Sequence, residues 1–132
     1  MFVSDLIKYL PTEVHLHSCR VRLLVDYYVP DTWISQRKKA YDVAFLHDLL
    51  EDTEFTADDI KDKEVREAVV ILTRKADETY FEYIQRIIDS DNKYAYFVKL
   101  ADISDHLLQI ETLTPSLKDR YEKALKMLRD VE

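Results

Sequence analysis

The densest group of side chains able to bind a metal or move a proton lies in the segment AFLHDLLEDTEFT, which carries His47, Asp48, Glu51 and Asp52. Read as one helix, these four positions span an arc of roughly 140° on one side, with Leu46, Leu49 and Leu50 on the rest. Such a cluster does nothing for the helix itself, because acids near a helix C-terminus oppose the macrodipole. An isolated His-Asp pair reads most simply as a solvated acidic helix end with a satisfied histidine. A second segment, YFVKLADISDHL, sets Asp102 among Phe97, Val98, Leu100, Ala101 and Ile103. Asp105 and His106 follow at i+3 and i+4, on the same face as Asp102. A carboxylate in so apolar a run must be ion-paired, hydrogen-bonded or bound to a metal. A salt bridge between helices would satisfy it as well as an ion would. His17 falls on the stripe Val14, Val21, Leu24, Tyr28 and should point inward, whereas His15 points elsewhere and should be exposed. A lone histidine on an apolar face is more simply structural than a ligand.

The elements that must position these residues are helical almost throughout. A short helix is expected over about 2–10, and Pro11-Thr12 opens a second one. Pro30-Asp31-Thr32 resets the chain into a third helix predicted to reach about Leu50. The polar stretch EDTEFTADD interrupts the pattern, with Thr56 placed to cap a brief helix containing Ile60. Val65, Ala68, Val69 and Leu72 form the next stripe, which stops near Arg74-Lys75-Ala76-Asp77. Further helices follow over 80–88 and about 93–113. Thr114-Pro115 then places a cap before a first-turn proline, opening a final helix with Leu117, Tyr121, Ala124, Leu125 and Leu128. VRLLVDYYV is the best strand candidate, yet its stripe fits the helical period better. The fold class is therefore all-α: one compact domain over 1–132 of about six to eight helices, with a core over about 14–113 and a C-terminal packing helix over 115–131.

Composition removes whole classes of function. The 132 residues contain no glycine, and phosphate-cradling loops and nucleophile elbows need glycine for close backbone approach and positive φ. P-loop, kinase, dinucleotide-binding and α/β-hydrolase chemistry are excluded. Any phosphate chemistry here must rest on side chains and a metal. The net charge of −7 argues against a DNA or RNA duplex as partner, although a small anion remains compatible if an ion and local Lys or Arg override the global field. No apolar run approaches the roughly 20 residues that span a bilayer. The start, MFVSDLIKYL, lacks a basic n-region, and the single cysteine, Cys19, has no internal disulfide partner. No membrane association and a cytoplasmic location are the expectations, with Cys19 a small core residue.

Taken together, the three clusters resemble the HD-domain metalloenzymes, whose signature is a first His, an adjacent His-Asp and a distant Asp. The likeness is closest to the small hydrolases related to the hydrolytic half of RelA/SpoT enzymes, in which a Glu-Asp pair follows the HD pair and a VKLAD segment comes later. FLHDLLEDTEFT and FVKLADISDHL match both features, and VREAVVILTRKADETYFEYIQRI has the family's LTR…Y…Y…R appearance. The resemblance covers about residues 40–110, and the N-terminal third joins it only through HSCRV.

The resemblance implies an HD-type fold with His17, His47, Asp48 and Asp102 as metal ligands. Such an N/O donor set suits Mn²⁺ best, with Mg²⁺, Zn²⁺, Fe²⁺ or Co²⁺ as alternatives. It further implies that Glu51 and Asp52 orient and deprotonate a water, and that Arg74, Lys75, Tyr80 and Arg86 are available to phosphate or base. His106 stands where the family usually has an Asn near the substrate sugar. The basic, glycine-containing segment that often precedes the first histidine is missing. The implied activity is hydrolysis of a phosphorylated nucleotide, with the 3′-pyrophosphate of (p)ppGpp-like alarmones the first expectation. The alternatives are a 5′-nucleotidase, whose HD-type members share a segment like His17-Ser18, and a domain that binds a nucleotide or partner helix without turnover. No synthetase half is expected, and a homo-oligomer is compatible with everything above.

Overall fold

A computed structural model describes residues 2–131. Eight α-helices follow one another: α1 (Val3–Leu6), α2 (Thr12–Tyr28), α3 (Ser35–Leu46), α4 (Leu49–Asp52), α5 (Lys63–Leu72), α6 (Tyr80–Asp89), α7 (Lys93–Leu108) and α8 (Pro115–Arg129). Single 3₁₀ turns occupy Ile7–Tyr9 and Ala57–Asp59. No strand occurs among the described residues, so the all-α expectation holds, and VRLLVDYYV is helical up to Tyr28. None of these helices is long and apolar enough to cross a membrane.

Local chemistry sets most boundaries. Asp62, Thr79, Asn92 and Thr114 each cap a helix by accepting a backbone N–H from the third residue on, which satisfies one of the donors a helix start leaves orphaned. Thr79 and Glu82 complete a capping box, and Pro115 follows the Thr114 cap as anticipated. In a chain without glycine, the left-handed position after α6 falls to Asp91, at φ 53°, one of the few residue types that tolerate it.

α7 is the central element. It packs against α2, α3, α5 and α8, and its Ala95, Val98, Leu100, Ala101 and Ile103 are buried with Val21, Val25, Val43 and Leu46. The polar residues of α7 on the same buried surface, Lys99, Asp102 and Asp105, are thereby held inside the fold.

Four expectations about the helices need correction. α3 stops at Leu46, not near Leu50: His47 and Asp48 form a turn, and α4 restarts at Leu49. Glu51 and Asp52 thus close a separate one-turn helix instead of extending the end of α3. The 140° arc on one continuous helix is therefore not how these residues meet. α7 ends at Leu108 instead of 113, because Ile110 is 78% exposed and buries nothing that would hold another turn. The first helix is split by the 3₁₀ turn at Ile7, and Ile60 follows the Thr56–Asp59 capping box instead of lying in a helix. His15 and Cys19 are both half-buried, so neither the exposed reading of the first nor the core reading of the second applies.

Candidate metal centre

Three elements bring the site together: α2 supplies His17, the α3–α4 turn supplies His47 and Asp48, and α7 supplies Asp102. Ligand atoms of His17, His47 and Asp102 all lie within 4.8 Å of one another. His17 Nε2 is 2.7 Å from Asp102 Oδ1, and His47 Nε2 is 3.3 Å from the same oxygen. Asp48 closes on the two imidazoles, its Oδ2 lying 3.2 Å from His47 Nε2 and 3.9 Å from His17 Nε2. The tightest set is therefore two histidines and Asp102, with Asp48 beside them. Two neutral imidazoles and a carboxylate converging on one point can hold a divalent cation.

The rings are oriented from behind. His17 Nδ1 pairs with Asp105 Oδ2 at 2.6 Å, and Asp105 in turn accepts from Arg20 Nε at 2.8 Å. His47 Nδ1 donates to the Ala44 carbonyl at 2.7 Å. In both rings the outer nitrogen is engaged, so Nε2 is the one presented to the centre, the arrangement that metal-binding histidines use. Asp102 is steadied on its other oxygen by Lys99 Nζ at 2.7 Å, and both members of this ion pair are buried.

The electrostatics follow from that crowding. Burial pushes the His47 pKa down, but the charge of Asp48 and the closeness of Asp102 outweigh it and raise it well above the usual value. Burial likewise works against ionised Asp102, yet the Lys99 charge and contacts from His106, His17 and His47 hold its carboxyl well below the ordinary range. Glu51 is shifted upward, mainly by burial, despite the bond it accepts from the Arg74 backbone N–H at 2.8 Å.

Beside the centre lies a cavity of about 170 Å³, lined by Asp48, Glu51 and Asp102 and by Arg74, Tyr80 and His106 among the expected residues. The remaining expectations are placed elsewhere. Asp52 lines a separate recess with Tyr9 and Phe55. Lys75 is exposed outside the cavity, and Arg86 is engaged with Glu78 and with the carbonyls of Ile71 and Thr73. A roomier cavity of about 530 Å³ beside α1 is lined largely by apolar residues such as Phe2, Leu6, Phe45 and Val65, and among the described residues no metal-binding group gathers there.

Five contributors had no site role in the sequence analysis: Lys99, Asp105, Tyr83, Arg120 and Tyr121. Lys99 carried the same signal as Asp102, a charge in an apolar run that needs a partner three residues away. Asp105 was visible on the Asp102 face without a role. Arg120 and Tyr121 belong to α8, whose pattern is that of an ordinary amphipathic helix, and nothing local marked them. Tyr121 stacks flat on His106, centroids 4.8 Å apart, while His106 Nε2 lies 3.3 Å from Asp102 Oδ1. The chain matches no protein-family model and no curated protein.

Proposed function

We propose that the protein is a metal-dependent phosphohydrolase of the HD type acting on a small phosphorylated nucleotide, with the 3′-pyrophosphate of a (p)ppGpp-like alarmone as first candidate substrate. The observation that carries this reading is His47 Nε2. It is buried and faces two carboxylate oxygens at 3.2 and 3.3 Å, yet it makes no well-formed hydrogen bond. A buried polar atom so placed is costly unless something else satisfies it. A divalent cation held by His17, His47, Asp48 and Asp102 fits the donor set, and Mn²⁺ is the best match to two imidazoles and two carboxylates.

Such an ion supplies Lewis acidity, polarising a phosphoryl oxygen and acidifying a water. The protein's own groups do the rest. Glu51 keeps Oε1 on the Arg74 backbone N–H, which leaves Oε2 to accept a proton from the attacking water. Its upward-shifted pKa makes it a better base than an ordinary surface carboxylate. Lys99 fixes the Asp102 carboxylate, and Asp105 fixes the His17 ring, so the ligands are preorganised. The cavity volume, about 170 Å³, suits phosphoryl groups within and a nucleoside at its mouth, since whole-ligand pockets usually start near roughly 300 Å³.

The test combines metal analysis of the purified protein with phosphate and pyrophosphate release from (p)ppGpp and from nucleoside monophosphates. Wild type should bind about one divalent ion per chain and release pyrophosphate, and Asp48→Asn should lose most of the activity while keeping its fold. Release of phosphate from monophosphates alone would replace the alarmone assignment with that of a 5′-nucleotidase. A protein that binds no divalent ion and turns over none of these substrates is not a hydrolase of this kind.

A further inference from the structure

Four buried side-chain polar atoms among the described residues lack a hydrogen-bond partner: Ser18 Oγ, His47 Nε2, Tyr80 Oη and Arg120 Nε. The His47 atom belongs to the metal centre. Tyr80 and Arg120 both line the adjoining cavity, and the metal ligation leaves their two buried atoms unexplained. They come from different helices, α6 and α8, and meet face to face: the Arg120 guanidinium carbon sits 3.7 Å from the Tyr80 ring centroid. Stacking of this kind satisfies the flat face of a guanidinium and leaves its in-plane N–H donors unused.

The second anomaly is one of charge. Three carboxylates line the cavity, Asp48, Glu51 and Asp102, against three cations, Arg74, Lys99 and Arg120. Lys99 is spent on Asp102. Among the described residues Arg120 forms no ion pair with a carboxylate, although the chain is acidic. Arg74, whose guanidinium lies 5.8 Å from the same Tyr80 ring, uses Nε on the Glu78 carbonyl. A free arginine stacked in a cavity lined by acids, beside an unsatisfied tyrosine hydroxyl, has donors without acceptors. An oxyanion supplies the acceptors, and guanidinium N–H groups match phosphate oxygens well.

We propose that Arg120 and Tyr80, assisted by Arg74, form a second oxyanion subsite that works without the metal and holds a phosphoryl group other than the one being attacked. This rests on the phosphohydrolase reading and sharpens it: the site should favour substrates whose scissile group adjoins a further phosphoryl group, and discriminate against simple monophosphates. Arg120 donates from Nε and Tyr80 from its hydroxyl. Tyr80 stays a donor at every physiological pH, because burial pushes its hydroxyl up to about 12.

The probe is inorganic pyrophosphate, titrated calorimetrically into the full chain stripped of metal and kept in chelator. Wild type should bind it. Arg120→Met should weaken binding about tenfold or more, as expected for losing a charge-assisted donor pair. Tyr80→Phe, which keeps the ring and removes only the hydroxyl, should weaken it by about threefold to tenfold. Tyr80→Phe decides the matter if a thermal melt shows Arg120→Met to be unfolded. Metal-free wild type that does not bind pyrophosphate, or binding unchanged in folded variants, overturns the subsite. Pyrophosphate binding that is lost in these variants, in a protein that takes up no metal and hydrolyses nothing, would uphold the subsite while removing the hydrolase reading.

Discussion

Two polar clusters of similar size lie in this helical domain, and they are built on opposite principles. Around Arg86, at the α5–α6 connection, every nitrogen of the guanidinium group is engaged. Nε and Nη2 reach Glu78 at 2.8 and 2.9 Å, Nη1 reaches the Ile71 carbonyl at 3.0 Å, and Nη2 also reaches that of Thr73 at 3.1 Å. Around Asp102 the carboxylate is over-subscribed, with His17, His47, His106 and Lys99 all within 3.3 Å. Meanwhile Tyr80 and Arg120 keep donors that the protein does not answer, and His47 Nε2 stands close to two carboxylates without a well-formed hydrogen bond to either. A saturated network is scaffold, because polar groups that satisfy each other have nothing left for a ligand. Unanswered buried groups are tolerated only where something else completes them.

The strongest way to break this contrast is to remove the over-subscribed carboxylate. Asp102→Ala leaves the Lys99 ammonium, 6% exposed, without its anion, and breaking a buried pair from one side costs roughly 3–5 kcal/mol. Urea unfolding of the metal-free protein should show this loss, and divalent binding should disappear with it. Removing both charges in Asp102→Asn with Lys99→Met should restore much of the stability but none of the metal binding. If the double variant is no more stable than the single one, Lys99 is not held by Asp102, and the centre is not the linked structural and binding unit described.

A second test separates orienting groups from ligands. Asp105 touches His17 from behind and lies off the point where the His17, His47 and Asp102 ligand atoms converge, so Asp105→Asn retains the shape and removes the negative charge. Affinity for Mn²⁺ should fall about 10- to 100-fold, the range typical of lost outer-shell partners of metal-bound histidine. Little change in the melting temperature is expected, because Arg20 and Gln109 can still donate to the amide oxygen. Unchanged Mn²⁺ affinity would mean that the His17 ring is oriented by α2 alone.

How much of this was legible beforehand divides along the same line. Helical periodicity, proline positions and the Thr114 cap are local, and they placed α2, α5, α6 and α8 well. His17, inward on its stripe, and Asp102, in an apolar run, were also visible, because a polar residue on a buried face needs a reason. The break at His47-Asp48 was not, since the apolar pattern runs on through Leu49 and Leu50 and only the three-dimensional demand to aim both side chains at His17 interrupts it. Arg86 and Arg120 show the limit most clearly. Both are arginines on amphipathic helices, the first expected at substrate and found in scaffold, the second unremarked and found at the cavity. Which arginine is saturated depends on carbonyls and carboxylates brought in by other elements, and no spacing within one helix records that.

The scaffold side of the contrast carries its own test, smaller in effect and dependent on pH. Arg86→Met removes the bonds to Glu78 and to two backbone carbonyls, which should cost about 1–3 kcal/mol near neutral pH. Hydrogen bonding from Arg86 holds the Glu78 carboxyl down to about 2, against an ordinary value of 4.5. A carboxylate depressed in the folded state stabilises above its unfolded pKa and loses that contribution as acid titrates it toward the folded one. The stability gap between wild type and Arg86→Met should therefore be full at pH 6–7 and narrow between about pH 4.5 and 2, as the pair's ionic contribution is lost from wild type. Urea midpoints measured along that range give the answer. Because Arg86 donates to protein groups alone, the same substitution should leave Mn²⁺ affinity where it was. A gap independent of pH, or a loss of metal binding in the folded variant, would move Arg86 from the scaffold to the site and erase the distinction between the two clusters.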